Sequence, residues 1–254
     1  AAPTATPAAD PATTTPAEGS AKKPTKNVIR VINDWAEKVL NIRLSNVNIE
    51  SDTNSKYADG TTDVLFDTHH SVSAAEVQGT GNTKIELDGQ NVLDSSKCVF
   101  WAGLSKKGSG NLTITDETSD KGENITAKEE TETSGSLRAE GGCYRSNSLS
   151  GGGAAIGGNY GQATENITIE GYATVKANTK DNNGAGIGGG AGAKGSNITI
   201  QGHANVTADG GKTGAGIGGG STGISCDGDA ENIIIQGYSK VTATGCGGAA
   251  IGGG

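Results

Sequence analysis

The sequence predicts an all-β protein, a single right-handed parallel β-helix preceded by a disordered linker. Two observations support this prediction. The C-terminal hundred residues contain three copies of a strand motif. The motif is NITI or NIII, with a glycine two positions after it. A glycine-rich motif, GAGIGGG or a close variant, alternates with them, and its isoleucines are 31, 30 and 34 residues apart: Ile156, Ile187, Ile217 and Ile251. A period of this length indicates a solenoid, a propeller or an array.

Each repeat contains three short apolar segments, for example Ile167 to Ile169, Val175 to Ala177 and the single Ile187. These segments have the length of strands and are too short for helices. Glycine, asparagine, aspartate and serine separate them, and these residues accept tight or left-handed turns. Three strands and three turns per repeat predict one triangular coil, whereas a WD-type propeller blade would need four strands and a Trp-Asp signature.

Stacked coils place equivalent residues in columns, so we expect four apolar columns to form the core. They are Ile167, Ile198 and Ile233; Ile169, Ile200 and Ile235; Val175, Val206 and Val241; and the four isoleucines of the glycine motif. Ile187 and Ile217 should therefore be buried although glycines surround them.

The asparagine that opens each strand motif predicts an amide ladder at one corner, because asparagine tolerates left-handed turns and stacked amides hydrogen-bond to one another. Its members would be Asn166, Asn197 and Asn232, with Asn111 before Leu112. The alternative is N-glycosylation, since five asparagines begin an N-x-[ST] sequon: Asn111, Asn124, Asn166, Asn197 and Asn205.

Residues 1–26 are rich in alanine, proline and threonine and contain all five prolines. We therefore expect residues 1–26 to be a disordered low-complexity linker and residues 27–254 to form the β-helix. The opening Ala1-Ala2-Pro3 resembles a mature N-terminus after signal-peptide removal, or a trimmed chain. Because the sequence stops inside a glycine motif, we also expect the β-helix to be truncated at its C-terminal end.

Earlier segments follow the same pattern more loosely. Residues 33–40 are expected to cap the N-terminal end of the solenoid, as a helical turn or a strand edge. Residues 99–103 stand where the glycine motif stands in later coils. The expected strands before the repeats are Val28 to Ile32, Ile42 to Leu44, Val47 to Ile49, Val64 to Phe66 and Leu112 to Ile114, and Ile85 to Val92 is expected to belong to another coil of the same pattern.

The composition argues against several classes of partner. The net charge is −8 without a basic cluster, so nucleic acid and anionic membranes are not expected partners. No apolar run approaches the ~18 residues of a membrane-spanning helix. The four cysteines lack C-x-x-C spacing, so no zinc site is expected. Cys226 and Cys246 could form a disulfide. The alternative is that these two, like Cys98 and Cys143, are buried thiols. No metal or other cofactor is expected, because the acidic segment 116–140 lacks an EF-hand loop.

The segments 40–49, 84–93 and 111–114, followed by alternating GAGIGGG and NITIxG motifs, resemble a known group. They are similar to the right-handed parallel β-helix repeat regions of large Gram-positive surface proteins and, in style, to β-helical carbohydrate-binding domains. The resemblance covers roughly residues 28–254. It implies a secreted or wall-anchored protein for adhesion or glycan contact and transfers no catalytic residues. No C-terminal sorting motif is present.

The sequence departs from that pattern at Tyr172, His203 and Tyr238, where a small residue is usual after the strand glycine. In a solenoid these three side chains should lie on one line, about 5 Å apart. A row of rings offers sugars a large contact area at low entropic cost. We therefore expect them to be the glycan-binding residues; the alternative is that the stacked rings only stabilise a turn.

The leading hypothesis is a non-enzymatic adhesin or carbohydrate-binding module, secreted or on the cell surface, whose partner is a polysaccharide, a host glycan or another surface protein. One alternative is a structural stalk without a ligand. Another is a β-helical polysaccharide lyase or hydrolase, and a hydrolase needs two convergent carboxylates. The clear repeats carry almost no outward carboxylate, so only residues 63–70 and 116–138 could host such chemistry.

Overall fold

A computed structural model describes residues 23–65, 69–117, 135–145, 150–179, 181–223 and 228–254. Apart from two short hairpins, its strands pair in parallel within three sheets, which confirms the predicted parallel β-helix. No helix occurs in these ranges. Most of the predicted linker lies outside them, and Thr25 already forms a parallel bridge with Ile49.

The strands follow one another in sets of three, one set per coil. The first coil and the hairpin after it comprise β1 (Ile29–Ile32), β2 (Leu40–Ser45), β3 (Asn48–Glu50), β4 (Asp63–Leu65) and β5 (His69–Ser71). The second and third coils and the next hairpin comprise β6 (Ala75–Gln78), β7 (Thr83–Asp88), β8 (Gln90–Asp94), β9 (Leu104–Lys106), β10 (Leu112–Thr115), β11 (Ser136–Glu140), β12 (Cys143–Arg145) and β13 (Ser150–Gly152).

The repeats supply the remaining coils. These strands are β14 (Ile156–Gly157), β15 (Thr164–Ile169), β16 (Thr174–Asn178), β17 (Ile187–Gly188), β18 (Gly195–Ile200), β19 (Asn205–Asp209), β20 (Ile217–Gly218), β21 (Ala230–Ile235), β22 (Lys240–Thr244) and β23 (Ile251–Gly252). Sheet 1 has the order β1-β6-β9-β14-β17-β20-β23, sheet 2 the order β2-β7-β10-β15-β18-β21, and sheet 3 the order β3-β8-β11-β16-β19-β22. Hairpins β4-β5 and β12-β13 are antiparallel.

All four predicted apolar columns are in register. Ile198 pairs with Ile167 and Ile233, Ile200 with Ile169 and Ile235, Val206 with Val175 and Val241, and the four isoleucines of the glycine motif pair in succession. Ile187 and Ile217 have 0% exposure, as predicted. Burying each such side chain contributes about 1.5–3 kcal/mol, so this thin core stabilises the whole solenoid.

The glycine motif is required by the close approach of successive coils. Gly157, Gly188 and Gly218 have φ values of 137°, 137° and 134°, which side chains rarely adopt. A Cβ on Gly157 would lie 2.0 Å from the carbonyl oxygen of Gly188, and one on Gly188 would lie 1.9 Å from that of Gly218. Any other residue at these positions would force the coils apart.

The asparagine ladder forms in the three repeats. Asn232 donates from Nδ2 to Oδ1 of Asn197 at 2.9 Å, and Asn197 donates to Oδ1 of Asn166 at 3.0 Å. The prediction was wrong for Asn111, whose Nδ2 donates to the Thr113 hydroxyl while Asn166 donates to the Ser109 carbonyl. The reason is conformational, since Asn111 is not among the residues with positive φ.

Two expectations for the early coils need correction. Leu104, one residue beyond the predicted segment 99–103, pairs with Ile156 in the isoleucine column. The column residue falls at Leu104 and not within 99–103 because Phe100 and Trp101 pack with Cys98 in a separate cluster outside the main core. Phe100 has a φ of 77°.

The segment between β1 and β2 does not cover the N-terminal end. The backbone N–H of Asn33 donates to Gln78 O and its side chain donates to Asn82 O, so the segment follows the turn of the second coil. Trp35 remains 61% exposed, and Ile32 and Val39 are also exposed.

Candidate functional site

Tyr172, His203 and Tyr238 lie at the turn that joins sheet 2 to sheet 3 in three successive coils, and we call them the ring row. The backbone N–H of His203 donates to Gly171 O at 2.9 Å, and that of Tyr238 donates to Gly202 O at 2.8 Å. The glycine before each ring has a φ of 65° to 73°, which makes the turn tight. Backbone hydrogen bonds therefore fix the three side chains in register.

The three rings stack on one another. The Tyr172 and His203 centroids are 4.8 Å apart with planes inclined by 6°, and the His203 and Tyr238 centroids are 5.1 Å apart with planes inclined by 11°. These separations match the expected spacing of about 5 Å and are typical of offset stacking. Tyr172 is half-buried, whereas His203 is exposed and Tyr238 is 82% exposed. The row thus presents its ring edges to solvent.

A row of polar side chains, the amide row, runs beside the rings and consists of Glu170, Gln201 and Gln236. Gln236 donates from Nε2 to Oε1 of Gln201 at 2.7 Å, and Gln201 donates from Nε2 to Oε2 of Glu170 at 2.7 Å. The amide row was not predicted from the sequence. Its signal was the recurrence of glutamate or glutamine directly before the strand glycine in every copy.

The motifs that build this corner match a known protein-family model. The model, described as beta helix repeat, matches residues 167–191, 198–221 and 233–254. Residues 167–254 are a β-helix repeat region. No curated protein and no solved structure matches the chain.

Two further outward-facing rows border the corner of the β-helix repeat region. On sheet 2, Thr168 pairs in register with Thr113 and Thr199, and Ile234 ends this hydroxyl row. On sheet 3, the residues that follow the rings by two positions are also in register: Thr174, Asn205 and Lys240. The ring row therefore has hydrogen-bonding side chains on both sides.

The ring row of the repeat region ends at a carboxylate in the third coil. The Tyr172 N–H donates to Asp116 O at 2.8 Å, just as the His203 N–H donates to Gly171 O. Asp116 in the third coil therefore corresponds to Gly171 in the next coil. Glu117 therefore takes the next position of the row. Its carboxylate forms an ion pair with Lys84 at 2.5 Å, so a charged pair closes this end.

Burial shifts the pKa values of two groups outside the repeat region, Lys106 and Cys98. Burial lowers the pKa of Lys106, whose ammonium donates to Gly108 O at 2.6 Å. Burial also raises the pKa of the Cys98 thiol, against the smaller opposite effect of hydrogen bonds with Ser51 and Ser71. Both groups are inside the protein, so neither presents a reactive group to a polymer on the surface.

Other candidate positions are only partly described. The described residues leave out most of segment 116–138, the side chains of 63–70 and the sequon at Asn124. They also leave out Cys226, which could pair with Cys246. Cys98, Cys143 and Cys246 are free thiols. Within the described ranges, no group of three or more His, Cys, Asp or Glu side chains is arranged to hold a metal ion. The same ranges contain no helix of the length and apolarity needed to cross a membrane.

Proposed function

We propose that this chain is a secreted or cell-surface, non-enzymatic module that binds a polysaccharide or host glycan along the ring row. The observation that carries the proposal is the stack of Tyr172, His203 and Tyr238, which is exposed and bordered by polar rows. A linear glycan lying parallel to the solenoid axis would meet the same set of groups in each coil.

The chemistry of the corner suits sugars. Aromatic rings contribute contact area against the C–H faces of a sugar at low entropic cost. The hydroxyl groups of the sugar remain free to hydrogen-bond with amides such as Gln201 and Asn205. Coils advance by one strand spacing, about 4.8 Å, which is similar to the advance of a β-linked sugar chain. Repetition of weak contacts along the polymer would then supply the affinity.

Two alternative functions make different predictions. In a stalk without a ligand, each stacked ring pair would only stabilise the turn, by about 0.5–1.5 kcal/mol. In a lyase or hydrolase, an oligosaccharide that binds would also be cleaved. An oligosaccharide array scored for both binding and cleavage therefore separates the three functions. Binding without cleavage supports the proposal, and absence of binding to any glycan contradicts it.

Replacement of Tyr172 and Tyr238 by alanine tests the site itself. We expect the affinity for the glycan identified on the array to fall at least tenfold, about 1.4 kcal/mol, with little change in melting temperature. Trp35→Ala is the matched control, because Trp35 is an exposed aromatic residue at the N-terminal end, far along the chain from the ring row. Unaltered affinity in the double alanine variant would remove the ring row from the site.

A further inference from the structure

Glu170 differs from the other carboxylates around the ring row. Glu117 is paired with Lys84, and Glu231 on the same sheet is paired with Lys194. Glu170 has no ion pair within the described part of the chain, and the only hydrogen bond of its carboxylate there is the one that Oε2 accepts from Gln201 Nε2. Its side chain is half-buried. A half-buried carboxylate that has no cationic partner among the described residues therefore lies at the end of the amide row.

The position of Glu170 relative to the rings is fixed by the backbone. Its N–H donates to Ile114 O at 3.0 Å, and the N–H of Tyr172 donates to Asp116 O at 2.8 Å. Both residues thus rest on the third coil, two positions apart. Glu117 continues the ring row beneath Tyr172. This end of the ring row therefore combines the Tyr172 ring with two carboxylates. That of Glu170 has no cationic partner among the described residues, and that of Glu117 is paired with Lys84.

An aromatic ring beside a carboxylate is a combination suited to an ammonium group. The carboxylate forms a charge-assisted hydrogen bond with the N–H donors, and the electron-rich ring attracts the same charge. The hydrogen bond from Gln201 holds the carboxylate in place before a ligand arrives, so little ordering is needed on binding. Anionic groups would be repelled here, because no described cation neutralises Glu170.

We propose that the ring row binds a glycan of amino sugars with free amines, and that the ammonium group of one sugar pairs with Glu170. This inference rests on the proposed function. It adds a ligand class, because it predicts a higher affinity for glycans with free amines than for their N-acetylated and uronic-acid counterparts.

The test compares β-linked oligomers of glucosamine, N-acetylglucosamine and glucuronic acid of equal length, by calorimetry at low salt and a pH at which the sugar amine is protonated. The intact chain should bind the glucosamine oligomer about tenfold more tightly than the N-acetylated one, a difference of about 1.4 kcal/mol. This preference should decline as salt is added, because salt screens exposed charges.

Glu170→Gln should abolish the preference for the free amine while leaving the affinity for the N-acetylated oligomer unchanged. The substitution keeps an acceptor for Gln201, so the amide row and the fold are retained. Glu231→Gln is the matched control, because it removes one negative charge elsewhere on sheet 2. The Glu231→Gln variant should prefer the glucosamine oligomer as strongly as the unmodified chain does.

Four outcomes would overturn the inference. Equal affinity for the amine and N-acetyl forms, or a preference that survives in Glu170→Gln, rejects the role of Glu170 but leaves the proposed glycan-binding function intact. If Glu231→Gln also loses the preference for the amine form, that preference arises from net charge and not from Glu170. Absence of binding to these oligomers and to every glycan of the array rejects both proposals together.

Discussion

Asn197 and Asn166 are joined by a side-chain hydrogen bond of 3.0 Å, and both have left-handed backbones, with φ values of 51° and 60°. One residue type thus serves two purposes at this corner. Its backbone tolerates the bend, and its amide links one coil to the next. The Nδ2 atoms of Asn197 and Asn166, which a glycan would occupy, donate to Asn166 Oδ1 and to the Ser109 carbonyl respectively.

These two contributions can be separated at Asn197. Asn197→Gly keeps the left-handed backbone and removes the amide, so we expect a loss of about 1 kcal/mol in the free energy of unfolding. Asn197→Ala also removes the amide but keeps a Cβ at positive φ without the polar side chain that helps asparagine tolerate it, so it should be about 1–2 kcal/mol less stable than Asn197→Gly. Urea unfolding of both variants measures the difference. Equal stability of the two variants would show that the backbone conformation contributes nothing.

Ile187 tests the thin core. Ile187→Asp should lower the free energy of unfolding by at least about 4 kcal/mol, because a carboxylate must be desolvated in an apolar column. Ile234→Asp is the matched control, since Ile234 faces outward and is 39% exposed. The control should change stability by less than about 1 kcal/mol. Thermal melts that leave Ile187→Asp as stable as the control would contradict the coil assignment.

Lys106 makes a pH-dependent contribution. Burial holds its folded-state pKa below the unfolded value of about 10.4, so between these two values the unfolded chain binds a proton that the folded chain has released. The folded state therefore becomes relatively more stable as the pH rises through this window. Lys106→Met removes the cost of burying the charge, and its stability advantage over the unmodified chain should be largest near neutral pH.

Urea unfolding of both proteins at neutral pH and near pH 10 checks this sign. Exposed lysines such as Lys97 and Lys194, whose pKa values are raised by Glu50 and Glu231, titrate in both proteins and cancel in the difference. An advantage of Lys106→Met that grows with pH would contradict the burial of the charged amine.

The repeats could be predicted from the sequence because each coil reproduces the geometry of its neighbours. A residue such as Ile200 needs only its own position in the period to be assigned to the core. The position of the ring row followed from the same argument. The amide row was missed because Glu170 and Gln201 differ in type, and only their contact shows that they act as one ladder.

The early coils were harder to predict because long-range contacts replace the period there. The fully buried Glu76 carboxylate is paired with Arg30 and Lys107, and the Arg30 guanidinium lies 4.2 Å from the centre of the Tyr57 ring. These partners come from different coils and from a segment between coils. No local pattern joins them, so sequence periodicity could not reveal the pairing.

The glycines that pack against carbonyl oxygens of the next coil also restrict how such a molecule can change in length. Adding or removing a few residues would move Gly188 away from the Gly218 carbonyl and bring a side chain into its place. Duplication of a whole repeat would preserve every one of these contacts. Length can therefore change in whole-coil steps of about 4.8 Å, and each step adds one ring and one amide to the corner. The reach of the molecule and the number of its ligand contacts would increase together.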